Sequence, residues 1–231
     1  MANEDEPLSP TARTMVIRSK PRARRERAAL IDVLGAARVC HMGVTVHGVP
    51  RVLPTAYGVD LAGPDQGGTL YLHGSVASRS IVDAPEQDIC VTVTVVDGLV
   101  LARSAFHHSM NYRSAVVIGR PRRVEDADER IRALDTIVDQ VVPGRSGHLR
   151  PHTRKELAAT AVLALPLYEA SVKSRTGQPV DDDSDIEVGG VWAGVLPVWE
   201  TLGDPERSAD VEADIPLPEH VRDMRGHSAS G

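Results

Sequence analysis

The sequence predicts a mainly β, α+β fold, in which a small antiparallel barrel carries helical insertions. Three observations predict it: strand patterns outnumber helix patterns, short turns join most of the strands, and no internal repeat is present. These features favour an antiparallel barrel over a parallel α/β sheet. A chain of 231 residues fits one domain with extended ends.

The first half of the chain reads as one helix followed by a meander of strands. Apolar residues at three- and four-residue spacing predict a helix over 22–37. Strands are predicted at 39–46, 50–61 and 69–75, with turns at His47-Gly48 and at 64–68. A short helix over 77–84 follows, with Ser78 near its start.

The second half alternates strands with two further helices. Strict alternation of valine with Cys90, Thr92 and Thr94 predicts a strand over 88–106, and another strand is predicted over 114–124. A helix is predicted over 125–141, and Thr153 and Glu156 have capping-box spacing at the start of the next helix, which turns into a further strand. Residues 181–187 are interpreted as an exposed acidic loop.

Composition sets the expected limits of the folded region. Residues 1–20 are polar and aperiodic, so they are expected to form a flexible N-terminal arm. The barrel domain is expected over 21–202. Residues 203–231 are charged and proline-rich, which predicts a disordered tail.

Several protein classes are excluded by composition. No apolar run approaches the roughly 20 residues of a membrane span, and the acidic N-terminus does not resemble a signal peptide. Two cysteines cannot form a disulfide framework or a zinc quartet, and a net charge of −6 argues against a nucleic-acid binder. We therefore expect a cytoplasmic protein without membrane, nucleic-acid or metal partners.

Two stretches have the residue types of a binding site. In the first, a strand ends at His73-Gly74-Ser75 and a helix begins at Ser78-Arg79, where backbone N–H groups and a guanidinium would favour a phosphate. A serine that caps the helix and an arginine on the surface, without any ligand, would give the same sequence pattern. The second is the polar connection 106–114, which contains two adjacent histidines and lies between two apolar strands.

The histidine pair 107–108 and Trp192 can each be explained by a purely structural role. Neighbouring residues on a strand point to opposite faces, so His107 and His108 are not expected to share a metal; one of them would satisfy buried carbonyls. Trp192 is either a core residue or an aromatic wall for a planar ligand.

The order of these segments resembles a known family. The residues that carry the resemblance are Arg51-Val52-Leu53-Pro54-Thr55, Tyr71-Leu72-His73-Gly74-Ser75, Ser78-Arg79 and the block 91–119. They are similar to the flavin-nucleotide-binding, nitroimidazole-resistance-type branch of the pyridoxamine 5′-phosphate oxidase-like superfamily. The resemblance runs from about 22 to 202, and its most specific part is 96–114. It implies a homodimeric split antiparallel β-barrel that binds FMN in two clefts at the dimer interface.

The resemblance also implies roles for individual residues. Arg51, Val52, Leu53, Pro54 and Thr55 would run along the isoalloxazine edge, and Ser78 and Arg79, assisted by Gly74 and Ser75, would hold the phosphate. Contacts from the opposite strand or the C-terminal part would come from His108, Ser109, Asn111, Tyr112, Ser114, Lys173 and Trp192. His73 matches a histidine that faces the flavin, and it is the candidate catalytic residue, as a proton donor or substrate contact. Its alternative role is to satisfy a carbonyl of the turn.

Two departures from the family bear on function. Ser80 stands where the vitamin B6 oxidases have lysine, and the barrel ends in WAGVLPV without their Arg-x-His motif. The first hypothesis is therefore an FMN-dependent oxidoreductase that acts on another small planar substrate. The alternatives are a non-catalytic flavin carrier or sensor, and the same barrel binding haem or a deazaflavin.

Overall fold

The structure is a computed structural model that describes residues 7–8 and 11–224. Its helices are α1 Arg27–Ala36, α2 Arg79–Val82, α3 Ala127–Val141, α4 Arg154–Ala159, α5 Asp183–Val188 and α6 Glu219–Asp223. Its strands are β1 Ala23–Arg24, β2 Val39–Val46, β3 Val49–Asp60, β4 Thr69–Ser75, β5 Ile89–Leu101, β6 Ser109–Gly119, β7 Arg122–Arg123, β8 Thr160–Pro166, β9 Ala170–Arg175 and β10 Gly194–Pro197.

The ten strands form one antiparallel sheet. Their order is β1-β9-β6-β5-β2-β3-β4-β8-β7, and β10 pairs with the end of β5. Within the described residues the two ends of this order, β1 and β7, do not pair, so the barrel is split. The predicted mainly β, split-barrel architecture with helical insertions is confirmed.

Two apolar clusters lie on opposite sides of the sheet. The larger one fills the barrel and includes Leu34 of α1, Met42 of β2 and Leu72 of β4. The smaller one lies between the sheet and α3, where Tyr71 of β4 contacts a cluster that includes Ile137. Because side chains alternate along β4, Leu72 faces the barrel whereas Tyr71 and His73 face α3.

The central predicted elements match the structure closely. Strands β2 and β4 have the predicted bounds, the turn residues His47 and Gly48 have positive φ angles of 52° and 77°, and the capping box of Thr153 and Glu156 is present. Gly58 has a structural reason to be glycine, since an added Cβ would lie 2.7 Å from the backbone nitrogen of Ile137. This contact lets α3 lie directly on β3.

Several predicted boundaries are wrong, among them the end of the strand predicted over 88–106, which ends at Leu101 as β5. The first helix begins at Arg27, because Ala23 and Arg24 pair with the edge of β9 as strand β1. Residues 109–114 belong to β6 and are not a loop; the alternation was hidden because a polar residue, Asn111, occupies an inward position. The acidic segment forms the short helix α5.

Both ends of the described chain contact the rest of the molecule. Leu8 is buried, and its N–H donates to the carbonyl of Arg25 over 2.7 Å. The ring of His220 in α6 stacks on His148 with 4.2 Å between centroids. The predicted arm and tail also include 1–6, 9–10 and 225–231, which lie outside the described residues, and the domain limits remain predictions.

Candidate functional site

One surface carries several of the predicted binding residues. It is the side of strands β2, β3, β5, β6 and β9 that faces away from the barrel core, and we call it the outer face. Val52 and Pro54 are exposed on it, and the β6–β9 ladder pairs Ser114 with Lys173. Ser114 Oγ also lies 3.1 Å from Thr94 Oγ1 on the neighbouring strand. The outer face is thus a broad, half-polar platform.

The predicted phosphate residues lie together where β4 ends. Ser75 Oγ accepts from the N–H of Ala77 over 3.2 Å, and the hydroxyls of Ser78 and Ser80 are 2.9 Å apart. Arg79 is exposed, and its guanidinium is 3.6 Å from the carboxylate of Asp83. An added Cβ on Gly74 would lie 2.7 Å from Ile81 Cγ1, so glycine lets α2 fold closely against the strand end.

This turn and the outer face are neighbours. The β3–β4 ladder pairs Tyr57 with Leu72, so Thr55 and Gly74 lie two residues further along the two strands, at the same end of the ladder. The hydroxyl of Thr55 donates to the carbonyl of Ala56 over 3.2 Å. The segments 51–55 and 74–79 therefore lie next to each other at this end of the ladder.

His73 lies in a separate cleft under α3. The cleft has a volume of about 340 Å³ and an apolar wall from α3 and the residues after it, made of Leu134, Ile137, Val138, Val141 and Val142. His73 Nδ1 is buried and has no hydrogen-bond partner among the described residues. Burial lowers the pKa of the imidazole, so the ring is neutral at physiological pH.

Two basic side chains complete the lining of this cleft. Arg145 and His152 also line it, and His152 Nε2 is 3.1 Å from Asp135 Oδ1. Arg145 has no carboxylate within ion-pair distance among the described residues. The sequence analysis missed both residues; the available signals were that His152 directly precedes the capping residue Thr153 and that Arg145 follows the end of α3 by four residues.

A buried ionic network fixes α3 over the cleft. The phenol of Tyr71 donates to Glu129 Oε1 over 3.1 Å, and Arg122 binds both Glu129 and Asp65. Burial, followed by the carboxylate of Glu129, raises the pKa of Tyr71 to about 12. The phenol therefore stays protonated and acts as a structural donor.

The remaining predicted residues are not gathered at one place. Asn111 points into the structure, where its amide donates to the carbonyl of Gly177 over 3.1 Å and its oxygen accepts from Arg175. His108 is exposed, with Nδ1 at 2.8 Å from the carbonyl of Ser104; it lines a polar cleft with Ser109. Trp192 is 69% exposed, and its ring lies over Gly194 at the start of β10.

Some kinds of site are absent from the part of the chain that the structure describes. There, no three His, Cys, Asp or Glu side chains gather as they would around a metal ion. The same residues include no helix with the length and apolarity needed to cross a membrane.

Comparison with known proteins identifies the class to which this barrel belongs. The family described as pyridoxamine 5′-phosphate oxidase matches residues 26–174, which is more than half of the chain. The chain therefore belongs to this family, as the sequence resemblance predicted. No curated protein matches the chain.

Solved structures narrow the similarity further. The flavocytochrome Anf3 from Azotobacter vinelandii is 38% identical, with a TM-score of 0.85 over 95% of this chain and 99% of that one. The FAD and heme binding protein from Mycobacterium smegmatis is 37% identical, with a TM-score of 0.80 over 88% of this chain and 97% of that one. A putative 5-nitroimidazole antibiotic resistance protein from Bacteroides thetaiotaomicron shares the fold, at 23% identity and a TM-score of 0.53 over 65% of this chain and 85% of that one.

Proposed function

We propose that this protein is an oxidoreductase that holds a flavin on the outer face and a haem in the cleft under α3. The observation that carries the proposal is His73, a buried and neutral imidazole that lines an apolar cleft. A flavin-only barrel gives no reason for such a cleft. Two relatives of nearly 40% identity support the proposal, since one is a flavocytochrome and the other an FAD and heme binding protein.

The cleft has the chemistry that a haem requires. Neutral imidazole commonly ligates haem iron, and His73 would hold the group through its ring, which its lowered pKa keeps neutral. The apolar wall from α3 would cover the macrocycle, and Arg145 and His152, which also line the cleft, would bind the two propionate carboxylates. This assignment replaces the expected role of His73 as a proton donor beside the flavin.

The outer face and the β4 turn have the chemistry that a flavin nucleotide requires. Residues 51–55 offer a strand edge to the ring, and Tyr112, Ser114 and Lys173 supply polar contacts on the same face. Ser75, Ser78 and Arg79 would bind the phosphate next to the ribityl chain. FMN and FAD share that phosphate, so this part of the site accepts either the expected FMN or the FAD of the relative.

The two sites are connected by a single strand. Since Tyr57 pairs with Leu72, Ala56 lies opposite His73, and its neighbour on the same side of β3 is Pro54 on the outer face. When bound, a flavin accepts two electrons as a hydride and a haem iron exchanges electrons singly. The role of the chain is to orient both groups on one rigid sheet and to exclude water from the cleft.

A second copy of the chain is part of the proposal. The flavin contacts proposed on the outer face, among them Val52, Ser114 and Lys173, form one open surface, which cannot enclose a ring by itself. The same face carries exposed apolar side chains, including Val52 at 68% and Met110 at 50% exposure. A homodimer would bury these residues and close the flavin cleft around a small-molecule substrate.

The absorbance spectrum of the purified protein, expressed with added haem precursor, tests this function. We expect both a Soret band and flavin bands, and anaerobic NADH or NADPH should bleach the flavin and then shift the haem bands. His73→Ala should remove the Soret band and leave the flavin bands. His47→Asn, at a turn position with positive φ that asparagine tolerates, is the matched control.

Each alternative has its own spectral outcome. Flavin bands that no reductant bleaches would indicate a carrier or sensor, and a deazaflavin would have its own absorbance maximum. A Soret band that survives His73→Ala would show that the haem ligand lies elsewhere.

A further inference from the structure

A polar cleft at the far end of β6 and β9 is not used by the proposed haem site. It has a volume of about 570 Å³ and is lined by Arg22, Phe106, His107, Arg175 and the loop 176–180. We call it the arginine cleft.

The charge of the arginine cleft is positive. Arg175 uses its guanidinium on neutral acceptors, the amide oxygen of Asn111 and the carbonyls of Gly177 and Gln178. Arg22 has no ion pair among the described residues. Among the described residues, the carboxylate within ion-pair distance of a lining side chain is that of Asp182. It lies 3.2 Å from Nε2 of the lining residue His107. Two guanidinium charges are therefore offset by one exposed carboxylate.

The cleft also offers an aromatic face. Phe106 is 90% exposed, and its ring contacts His107 edge-on, with 5.1 Å between centroids and an interplanar angle of 87°. The free face of the Phe106 ring can stack on a planar base.

The loop that covers this cleft is held in place by specific contacts. Arg103 donates from its backbone N–H and its guanidinium to Asp181, over 2.8 Å and 2.7 Å. Asn111 holds the carbonyl of Gly177 over 3.1 Å. The cleft is thus built from a fixed loop and a strand end, rather than from surface side chains alone.

We infer that the arginine cleft binds an adenosine diphosphate group. Two guanidinium groups match the charge of a diphosphate, and the exposed ring of Phe106 matches a purine. The inference rests on the proposed function for its context, because Arg175 pairs with Tyr112 and the cleft continues the outer face. Two redox ligands carry this group: FAD itself, and a nicotinamide dinucleotide that donates electrons to the flavin.

Calorimetric titration of the full-length protein with ADP tests the inference without any redox assay. We expect ADP to bind, and Arg22→Gln and Phe106→Ala each to weaken binding about tenfold, as for loss of one charge-assisted or stacking contact. Arg18→Gln makes the same charge change on an exposed residue that does not line the cleft and should leave binding unchanged. Adenosine has no phosphate, so its binding should not depend on Arg22.

Two further titrations distinguish FAD from a nicotinamide dinucleotide as the ligand that carries this group. If the group belongs to FAD, ADP binds only flavin-free protein, and Arg22→Gln weakens FAD while leaving FMN unchanged. If it belongs to the electron donor, ADP also binds flavin-loaded protein and competes with NADH or NADPH, and Arg22→Gln raises the KM for the donor.

Other results would overturn the inference. It is wrong if ADP does not bind either form, or if Arg18→Gln and Arg22→Gln weaken ADP equally. These results are separable from a failure of the proposed function, which the absence of a flavin or haem spectrum would show.

Discussion

The phenol of Tyr71 and the carboxylate of Glu129 are joined by a buried hydrogen bond of 3.1 Å between β4 and the first turn of α3. Tyr71 precedes His73 by two residues on the same face of β4. Glu129 also accepts from Arg122, which donates as well to Asp65 in the turn before β4. The height of α3 above His73, and so the width of the proposed haem cleft, depends on this contact.

Tyr71→Phe should lower stability modestly and leave the fold intact. Glu129 keeps its partner Arg122 in the variant, so the loss is that of one hydrogen bond, about 0.5–1.5 kcal/mol. For a chain of this size we expect a fall in Tm of roughly 2–4 °C. Thermal unfolding followed by circular dichroism measures it. Tyr168→Phe, which removes a hydroxyl without a hydrogen bond in the described structure, is the control, and an equal fall in both variants would contradict this role.

Val138→Glu should block haem binding without removing the flavin. Val138 is on the apolar wall of the cleft, where an ionised carboxylate would lose its hydration and repel the proposed propionates. Ile131→Glu places the same charge on the same helix at a position that is 37% exposed. The ratio of Soret to flavin absorbance should collapse only for Val138→Glu. Normal haem content in that variant would exclude this cleft as the haem site.

The cofactor-free protein should lose stability below neutral pH in part because of His73. Burial lowers its pKa in the folded state, whereas the unfolded imidazole titrates near 6.5. The unfolded state therefore binds more protons below about pH 6.5, and the stability that the neutral ring contributes above that pH is lost as pH falls toward the folded-state pKa.

His73→Gln removes this titration and leaves Arg145 and His152 in the cleft. The difference in Tm between the natural protein and the variant should shrink between about pH 7.5 and about pH 5.5. His41→Gln, on an exposed histidine of β2, should show no such change. A constant difference for His73→Gln would mean that folding does not shift the pKa of His73.

Local sequence patterns predicted the sheet well. Alternation and turn residues sufficed for β2 and β4, and strand-end chemistry made Ser78 and Arg79 candidates, which the structure places at the start of α2. The cleft under α3 could not be predicted, because Val138 and His73 are far apart in sequence and meet only through the packing of α3 on Gly58. Alternation alone predicted that Tyr71 and His73 lie on the same face of β4. It could not predict that α3 covers this face.

Arg79→Ala should weaken binding of a flavin nucleotide but not of riboflavin. The guanidinium is exposed and has one acidic neighbour, Asp83 at 3.6 Å, so it is available to a phosphate. Loss of one charge-assisted contact predicts at least about a tenfold rise in Kd for FMN. Arg132→Ala, on the exposed side of α3, is the control. Equal losses for FMN and riboflavin would make Arg79 structural and place the phosphate elsewhere.

Leu99→Asp should convert a homodimer into monomers and release the flavin. Leu99 pairs with Leu196 of β10 and Met110 of β6, and these three cross-strand neighbours are 41%, 56% and 50% exposed on the outer face. Their row continues toward Tyr112 and Ser114, so the same second copy that covers the apolar row would close the flavin site. Obligate homodimers often bury about 2,000 Å² or more, and a carboxylate at the centre of such a surface would be desolvated without a partner. Ile131→Asp, on α3 and outside this face, should keep both the dimer and the flavin. Light scattering and flavin content, measured together at micromolar concentration, test this prediction. A natural protein that is monomeric and still binds flavin would show that the flavin site does not need a second copy.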